Sequence, residues 1–195
     1  MKKTKNKLLM TDAEIDLVLT RMAAEIVEKL GSREDFAVIG IRRRGVHLAQ
    51  RLRAKLQVAL KKTIPIGILD ITLYRDDLTA ISNRPMLRET LIDFDIDNLS
   101  LLLVDDVLYT GRTIRAALDG IIDLGRPKRV QLAVLIDRGG RELPIQADYI
   151  GKQIQVAEEE TVEVRLQEED AEERIVLFKK PHLPAAAPNT ENDGE

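Results

Sequence analysis

The stretch Leu101–Ile114, LLLVDDVLYTGRTI, decides the fold. Leu101–Val104 is wholly apolar, as suits a strand covered on both faces. Asp105 and Asp106 end that run, and Val107, Leu108, Tyr109, Thr110 and Gly111 lead into a helical pattern over Arg112–Leu124. A strand, a tight turn and a helix start bring backbone N–H groups and the positive end of a helix dipole to one spot, which suits a phosphate. Gly111 permits close backbone approach, and the Thr110 and Thr113 hydroxyls add side-chain bonds. Adjacent carboxylates at the carboxyl end of a parallel strand stand where open α/β sheets place ligands. A phosphate alone gains nothing from them, whereas a ligand with a phosphate and vicinal hydroxyls does. Taken alone, Asp105 and Asp106 can equally cap the following turn; the attached Thr-Gly-Arg-Thr favours the ligand.

Working outward, Thr11-Asp12-Ala13-Glu14 is a capping box, followed by Ile15, Leu17, Val18, Met22, Ile26 and Leu30 at helical spacing up to Gly31. Phe36–Ile41 reads as a buried strand opening into a loop, Val46–Leu60 as a helix and Ile64–Leu73 as a strand. Arg129–Ile136 is another apolar strand. Strands alternating with helices predict right-handed βαβ units and an α/β fold, with a central, mainly parallel sheet flanked by helices. Between Tyr74 and Asn98 the periodicity dissolves into a long polar excursion, and long excursions in compact domains are often functional. Short alternating runs over Asp148–Phe178 suit antiparallel strands at one end of the sheet. The expectation is one domain over 1–180, with a small hood of short antiparallel strands built largely from 140–178, and a disordered tail over 181–195.

Composition narrows the class. At 195 residues, 44% hydrophobic and 32% charged, the chain is an ordinary globular domain. Aromatics are 3%, so Leu, Ile, Val and Ala must fill the core. The net charge of −3 gives no global attraction to nucleic acid, although a local basic face is compatible with it. The absence of cysteine excludes disulfides and thiolate metal sites. The basic start, MKKTKNKLLM, has no signal-peptide core, and no run reaches membrane-spanning length, so a cytoplasmic location without a membrane partner is expected.

Three further segments carry candidate chemistry. Gly40-Ile41-Arg42-Arg43-Arg44-Gly45 places arginines between two glycines after a strand; such a run is either an anion loop or a solvated surface. Tyr74-Arg75-Asp76-Asp77 either opens a functional loop or forms a polar turn. Asp137-Arg138-Gly139 follows the Arg129–Ile136 strand, where an Asp-Arg pair can be a ligand contact or a surface ion pair.

VDDVLYTGRT resembles the 5-phosphoribosyl-1-pyrophosphate (PRPP) signature of type I phosphoribosyltransferases. Ile71–Leu78, Gly125-Arg126-Pro127, QLAVLIDRG over Gln131–Gly139, Arg141–Pro144 and Ala147–Lys152 look like the bacterial pyrimidine operon attenuator/uracil phosphoribosyltransferase family. The resemblance runs from the first helix to Phe178 and is weakest over Ala80–Leu99 and the tail.

It implies the type I phosphoribosyltransferase fold and the conversion of uracil and PRPP to uridine monophosphate (UMP) and pyrophosphate in pyrimidine salvage. Mg²⁺ would arrive with PRPP, with no particular protein ligand assigned. By resemblance, Asp105 and Asp106 hold the ribose hydroxyls, and Val107, Leu108, Tyr109, Thr110, Gly111, Arg112 and Thr113 wrap the 5-phosphate. Arg43 and Arg44 would contact pyrophosphate, and Arg75 would join them from a loop that closes over the site. Asp137, Arg138 and Ile150 would line the base pocket. Purine-salvage relatives usually carry an aspartate where this chain has Tyr109, which favours a pyrimidine.

The family also binds pyrimidine-operon leader mRNA under UMP control, as a homodimer or higher homo-oligomer. Thr20, Arg21, Lys29, Arg33 and Arg141 are the matching candidates. RNA-binding members tend to be basic or to carry histidine where this chain has Ala24, Gly140 and Gln146, and Glu158–Glu173 is strongly acidic. Two narrower alternatives are an enzyme without RNA binding and a nucleotide-sensing regulator without turnover.

Overall fold

The computed structural model describes residues 6–30, 35–76 and 90–179. Five parallel strands form the central sheet in the order β3-β2-β4-β5-β6: Phe36–Ile41 (β2), Ile66–Leu69 (β3), Ser100–Leu108 (β4), Arg129–Asp137 (β5) and Tyr149–Gln153 (β6). This is the type I phosphoribosyltransferase architecture that the sequence led us to expect.

Period-two alternation sorts the apolar side chains between the two faces. On β4, Leu102 and Val104 join one core and Leu101 and Leu103 the other. Asp12–Leu30 (α1) and Arg44–Leu60 (α2) cover the first face, and Arg112–Leu124 (α3) covers the second. Both cores are chiefly Ile, Leu, Val and Ala, as the aromatic-poor composition requires. The buried aromatic Tyr149 has its hydroxyl satisfied by Gln131 Nε2 at 3.2 Å.

The capping box forms as read: Thr11 N–H donates to Glu14 Oε2 at 2.8 Å, and Glu14 N–H donates to Thr11 Oγ1 at 3.4 Å. Such caps contribute about 1 kcal/mol. Gly31 and Arg33 lie outside the described residues, as do Asp77 and the remainder of the excursion to residue 89, and the tail from 180.

Two expectations change. Among the described residues, the small sheet draws two of its three strands from the end of the 140–178 segment and the third from the start of the chain. It pairs Glu160–Arg165 (β7) and Arg174–Lys179 (β8) with Lys7–Thr11 (β1), in the antiparallel order β1-β8-β7. Tyr149–Gln153 instead joins the central sheet parallel to β5, because its first residue, Tyr149, is large and apolar enough to belong to the main core. The second change is at Ile64–Leu73. Pairing stops at Leu69, and a 3₁₀ turn over Thr72–Tyr74 follows, nucleated by Asp70, whose Oδ1 accepts from Thr72 N–H at 2.9 Å.

Candidate active site

All five loops after the parallel strands emerge at one edge of the sheet, and strand register makes a notch there. Pairing of β4 with β2 ends at Gly40–Val104, whereas pairing with β5 continues through Asp105–Val134 to Leu108–Asp137. The strand therefore runs past both aspartates, longer than the apolar run suggested, with β2 already turned away beside them. Gly45, in the first turn of α2, fills part of the notch: a Cβ there would lie 2.6 Å from Val104 O and 3.2 Å from Asp105 Cα. Gly40 makes room for that turn, since its Cβ would lie 2.6 Å from Val46 Cα. The glycines on either side of the arginines thus bring the arginine loop against the carboxylates.

Asp105 is buried at 6% exposure, and Asp106 is half-buried. Asp106 N–H donates to Asp105 Oδ1 and Val107 N–H donates to Asp106 Oδ1, each at 2.9 Å. Burial, then the charge of Asp106, push Asp105 well above the ordinary carboxylate range, with Arg75 opposing. Burial also raises Asp106, with the Arg44 charge opposing most strongly. The pair holds ionisable oxygens in a site that disfavours their charge, an arrangement suited to hydroxyl or cation partners.

Beyond Leu108 the chain turns through Tyr109, Thr110 and Gly111, with Gly111 at φ +94°. Helix α3 makes its first backbone bond from Arg115 N–H to Gly111 O, so the N–H groups of Thr113 and Ile114 come before it. A cavity of about 310 Å³ lies over this turn, lined by Val107–Ile114 together with Arg75 and Asp76. Arg75 thus comes to the Gly111 turn. Its segment is moored to α3: Arg112 binds Asp76 Oδ2 at 2.9 Å, and Arg115 donates to Tyr74 O at 2.9 Å. The Tyr74 hydroxyl donates to Asp123 Oδ2 at 2.9 Å.

On the β2 side, Arg43 is exposed and its guanidinium lies 4.0 Å from Glu169. Arg44 is more enclosed and makes two bonds to Asp170, at 3.1 and 2.7 Å. On the β5 side, the Arg138 guanidinium stacks 3.9 Å from the centre of the Tyr109 ring and donates to Glu160 O at 3.2 Å. It is buried at 7% exposure, and its Nε has no hydrogen-bond partner among the described residues. Gly140, at φ +70°, lies against the Tyr109 ring, where a Cβ would come within 2.6 Å of Cε2. Asp137 is buried and paired with Arg141 at 2.6 Å, not with its neighbour Arg138.

Residues 11–169 match the model of the phosphoribosyl transferase domain. The chain is 56% identical over 161 residues to the bifunctional protein PyrR of Pelotomaculum thermopropionicum, covering 83% of this chain and 89% of that protein. The chain belongs to the PyrR family of phosphoribosyltransferases. Its identity to the Deinococcus radiodurans member is 52% over 175 residues, 90% of this chain and 96% of the relative. A Trypanosoma cruzi hypoxanthine phosphoribosyltransferase structure superposes with a TM-score of 0.69 at 20% identity, covering 93% of this chain and 94% of that one, which shows the shared fold.

The described residues expected at the RNA face of this PyrR-family chain sit on α1 and on the loop after β5. Thr20, Arg21 and Lys29 lie on α1. Arg21 donates to the carbonyls of Ile150 and Gly151 at 2.9 and 2.5 Å, and Lys29 lies 4.9 Å above the Tyr149 ring. Arg141, expected on the same face, turns inward to Asp137, Tyr109 O at 2.9 Å and Ile145 O at 3.0 Å. A buried carboxylate needs a charged partner, and Arg141 supplies it. Sequence reasoning missed the acidic turn Gln167–Asp170 (α4), taken only as charge unfavourable to RNA. Its legible signal was complementarity with Arg44, His47 and Arg51, one face of α2.

Proposed function

We propose that the protein transfers the phosphoribosyl group of PRPP to uracil, releasing pyrophosphate, and that UMP bound in the same site controls its binding to pyrimidine-operon leader mRNA. One observation carries the catalytic reading: the Asp105–Asp106 pair in the register notch, joined without a break to the Gly111 turn and the start of α3.

The ribose 5-phosphate lies on the Thr110–Thr113 turn, and its vicinal hydroxyls donate to Asp105 and Asp106. As the C1–pyrophosphate bond breaks, positive charge grows on the ribose and negative charge on the leaving group. Buried carboxylates stabilise the first, and Arg43, Arg44 and Arg75 the second. Uracil N1 then bonds C1 and its proton is lost. Hard carboxylate oxygens beside the ribose and cations beside the leaving group fit PRPP entering as its magnesium complex. Mg²⁺ neutralises part of the pyrophosphate charge when bound.

The base lies between the Asp137–Gly139 turn and the start of β6. The Tyr109 ring, held by Arg138 and Gly140, limits its width to a pyrimidine. With its guanidinium engaged by Tyr109 and Glu160 O, Arg138 shapes the pocket through the ring, and backbone groups read the uracil edges. For regulation, Arg21 supplies a physical link: it joins helix α1 to the backbone of Ile150, a base-pocket strand residue.

The purified chain is expected to form UMP from uracil and PRPP with Mg²⁺, and to form no inosine or guanosine monophosphate. Its affinity for leader transcript is expected to rise when UMP is added. Nucleotide binding without turnover would leave only a sensor. Weak RNA binding indifferent to UMP and lost uniformly with salt would leave only the enzyme.

A further inference from the structure

Arg44, His47 and Arg51 stand three and seven residues apart on α2 and share one face. The acidic turn around α4 covers that face. Arg51 binds Glu168 at 3.0 and 2.7 Å and also Glu173, and His47 Nε2 lies 3.0 Å from Glu169 Oε1. These pairs fasten the small sheet to α2. The Arg44–Asp170 pair has a further consequence, because after Asp170 the strongest charge felt by Arg44 is Asp106, in the site itself. Asp170 is fixed in turn: its Oδ2 accepts from Leu166 N–H at 2.9 Å as well as from Arg44 Nε. One edge of the Arg44 guanidinium is thereby held by a carboxylate tied to backbone, while Nη1 is not engaged by Asp170.

We propose that Asp170 is a positioning residue for the phosphoribosyl transfer: it holds Arg44 away from Asp106 and aims its remaining guanidinium edge at the pyrophosphate. Without that anchor the cation closes on Asp106, whose charge acts on it most strongly after Asp170. It would then mask the oxygen that the ribose hydroxyl needs and turn away from the leaving group. The inference rests on the phosphoribosyltransferase reading above.

Asp170→Asn tests it with little change of shape. The amide oxygen can still accept from Leu166 N–H, but the amide nitrogen faces Arg44 Nη2 donor to donor. Losing one charge-assisted contact, this variant is expected to raise KM for PRPP about tenfold with kcat within about twofold. Pyrophosphate product inhibition should weaken in parallel. Asp170→Glu should recover most of the KM. Glu168→Gln, which loosens the same turn without touching Arg44, should leave KM unchanged. On an Arg44→Gln background, Asp170→Asn should add nothing, which keeps the test decisive even if the single variant is less stable. An unchanged KM in Asp170→Asn, an equal rise in Glu168→Gln, or additive effects on the Arg44→Gln background would each overturn the positioning role. An inactive wild-type protein would instead overturn the catalytic reading.

Discussion

Asp105→Asn is expected to make the protein more stable, and with Asp106→Asn added to abolish its turnover. Burial and the neighbouring Asp106 charge hold Asp105 well above its ordinary value, and burial raises Asp106 too. The folded chain therefore keeps protons on this pair at pH values where the unfolded chain has released them. Stability from the pair is greatest below the unfolded carboxylate value. It falls as pH rises through the raised folded values and is lost above them. An amide at position 105 removes the Asp105 charge, and its oxygen can still accept the Asp106 N–H bond now made at 2.9 Å. The expected gain is about 1 kcal/mol, or about 3 °C in Tm for a chain of this size, read by thermal denaturation at neutral pH. The same variant, with Asp106→Asn added, should lose at least about a thousandfold in kcat/KM, because the stabilising charge beside the reacting ribose is gone. A fall in Tm together with lost activity would mean that the carboxylates support the fold, and the site reading would have to be abandoned.

This opposition of stability and function explains why the centre of the site was legible in sequence. An Asp-Asp pair at the end of an apolar strand breaks the pattern of a buried element, and a packed domain tolerates such a break where chemistry needs it. The helix boundaries of α3 and the strand Phe36–Ile41 were equally readable, since apolar periodicity, Gly111 and Gly125 mark them locally. What sequence could not show is set by contacts between distant segments. Val104 as the end of β2–β4 pairing is a fact of register between strands more than 60 residues apart. Asp170 meets Arg44 across 126 residues, and no local pattern announces it. Tyr149–Gln153 alternates like a hood strand, yet the burial of Tyr149 draws it into the central sheet. Asp137 pairs with Arg141 and not with its chain neighbour Arg138 for the same reason: Arg141 is the one that reaches it.

The small sheet emerges from these contacts as part of the site. Through Asp170 it fixes Arg44 at the start of α2, and through the Glu160 carbonyl it fixes Arg138 behind Tyr109. The central sheet supplies the carboxylates and the Gly111 turn, whereas the small sheet orients the cations around them. On the proposed function, positive charge held by a separate layer can be set for a polyanionic leaving group without changing the strand that carries Asp105 and Asp106.

Gly45→Ala should disrupt this arrangement at its narrowest point. The residue lies in the first turn of α2, where alanine would ordinarily stabilise a helix by up to about 1 kcal/mol. Here the added Cβ would lie 2.6 Å from Val104 O, 3.2 Å from Asp105 Cα and 3.3 Å from Asp105 Oδ1. The first two are backbone atoms of the central strand, so no side-chain rotation relieves the clash, and helix and strand must separate. Overpacking of this kind costs about 1–3 kcal/mol, which exceeds the helix gain and leaves a net loss of about 1–2 kcal/mol. Tm should fall by about 5 °C. The functional loss should be larger than that stability change suggests, because the displaced turn carries Arg43 and Arg44 away from Asp105 and Asp106. KM for PRPP is expected to rise at least about tenfold at temperatures where the variant is fully folded. Uracil binding to the UMP-free protein should change little, since its pocket lies on the far side of β4. If Gly45→Ala binds PRPP as tightly as the parent chain, the contact between α2 and β4 does not set the spacing of the two halves of the site. The register notch would then be a feature of folding alone.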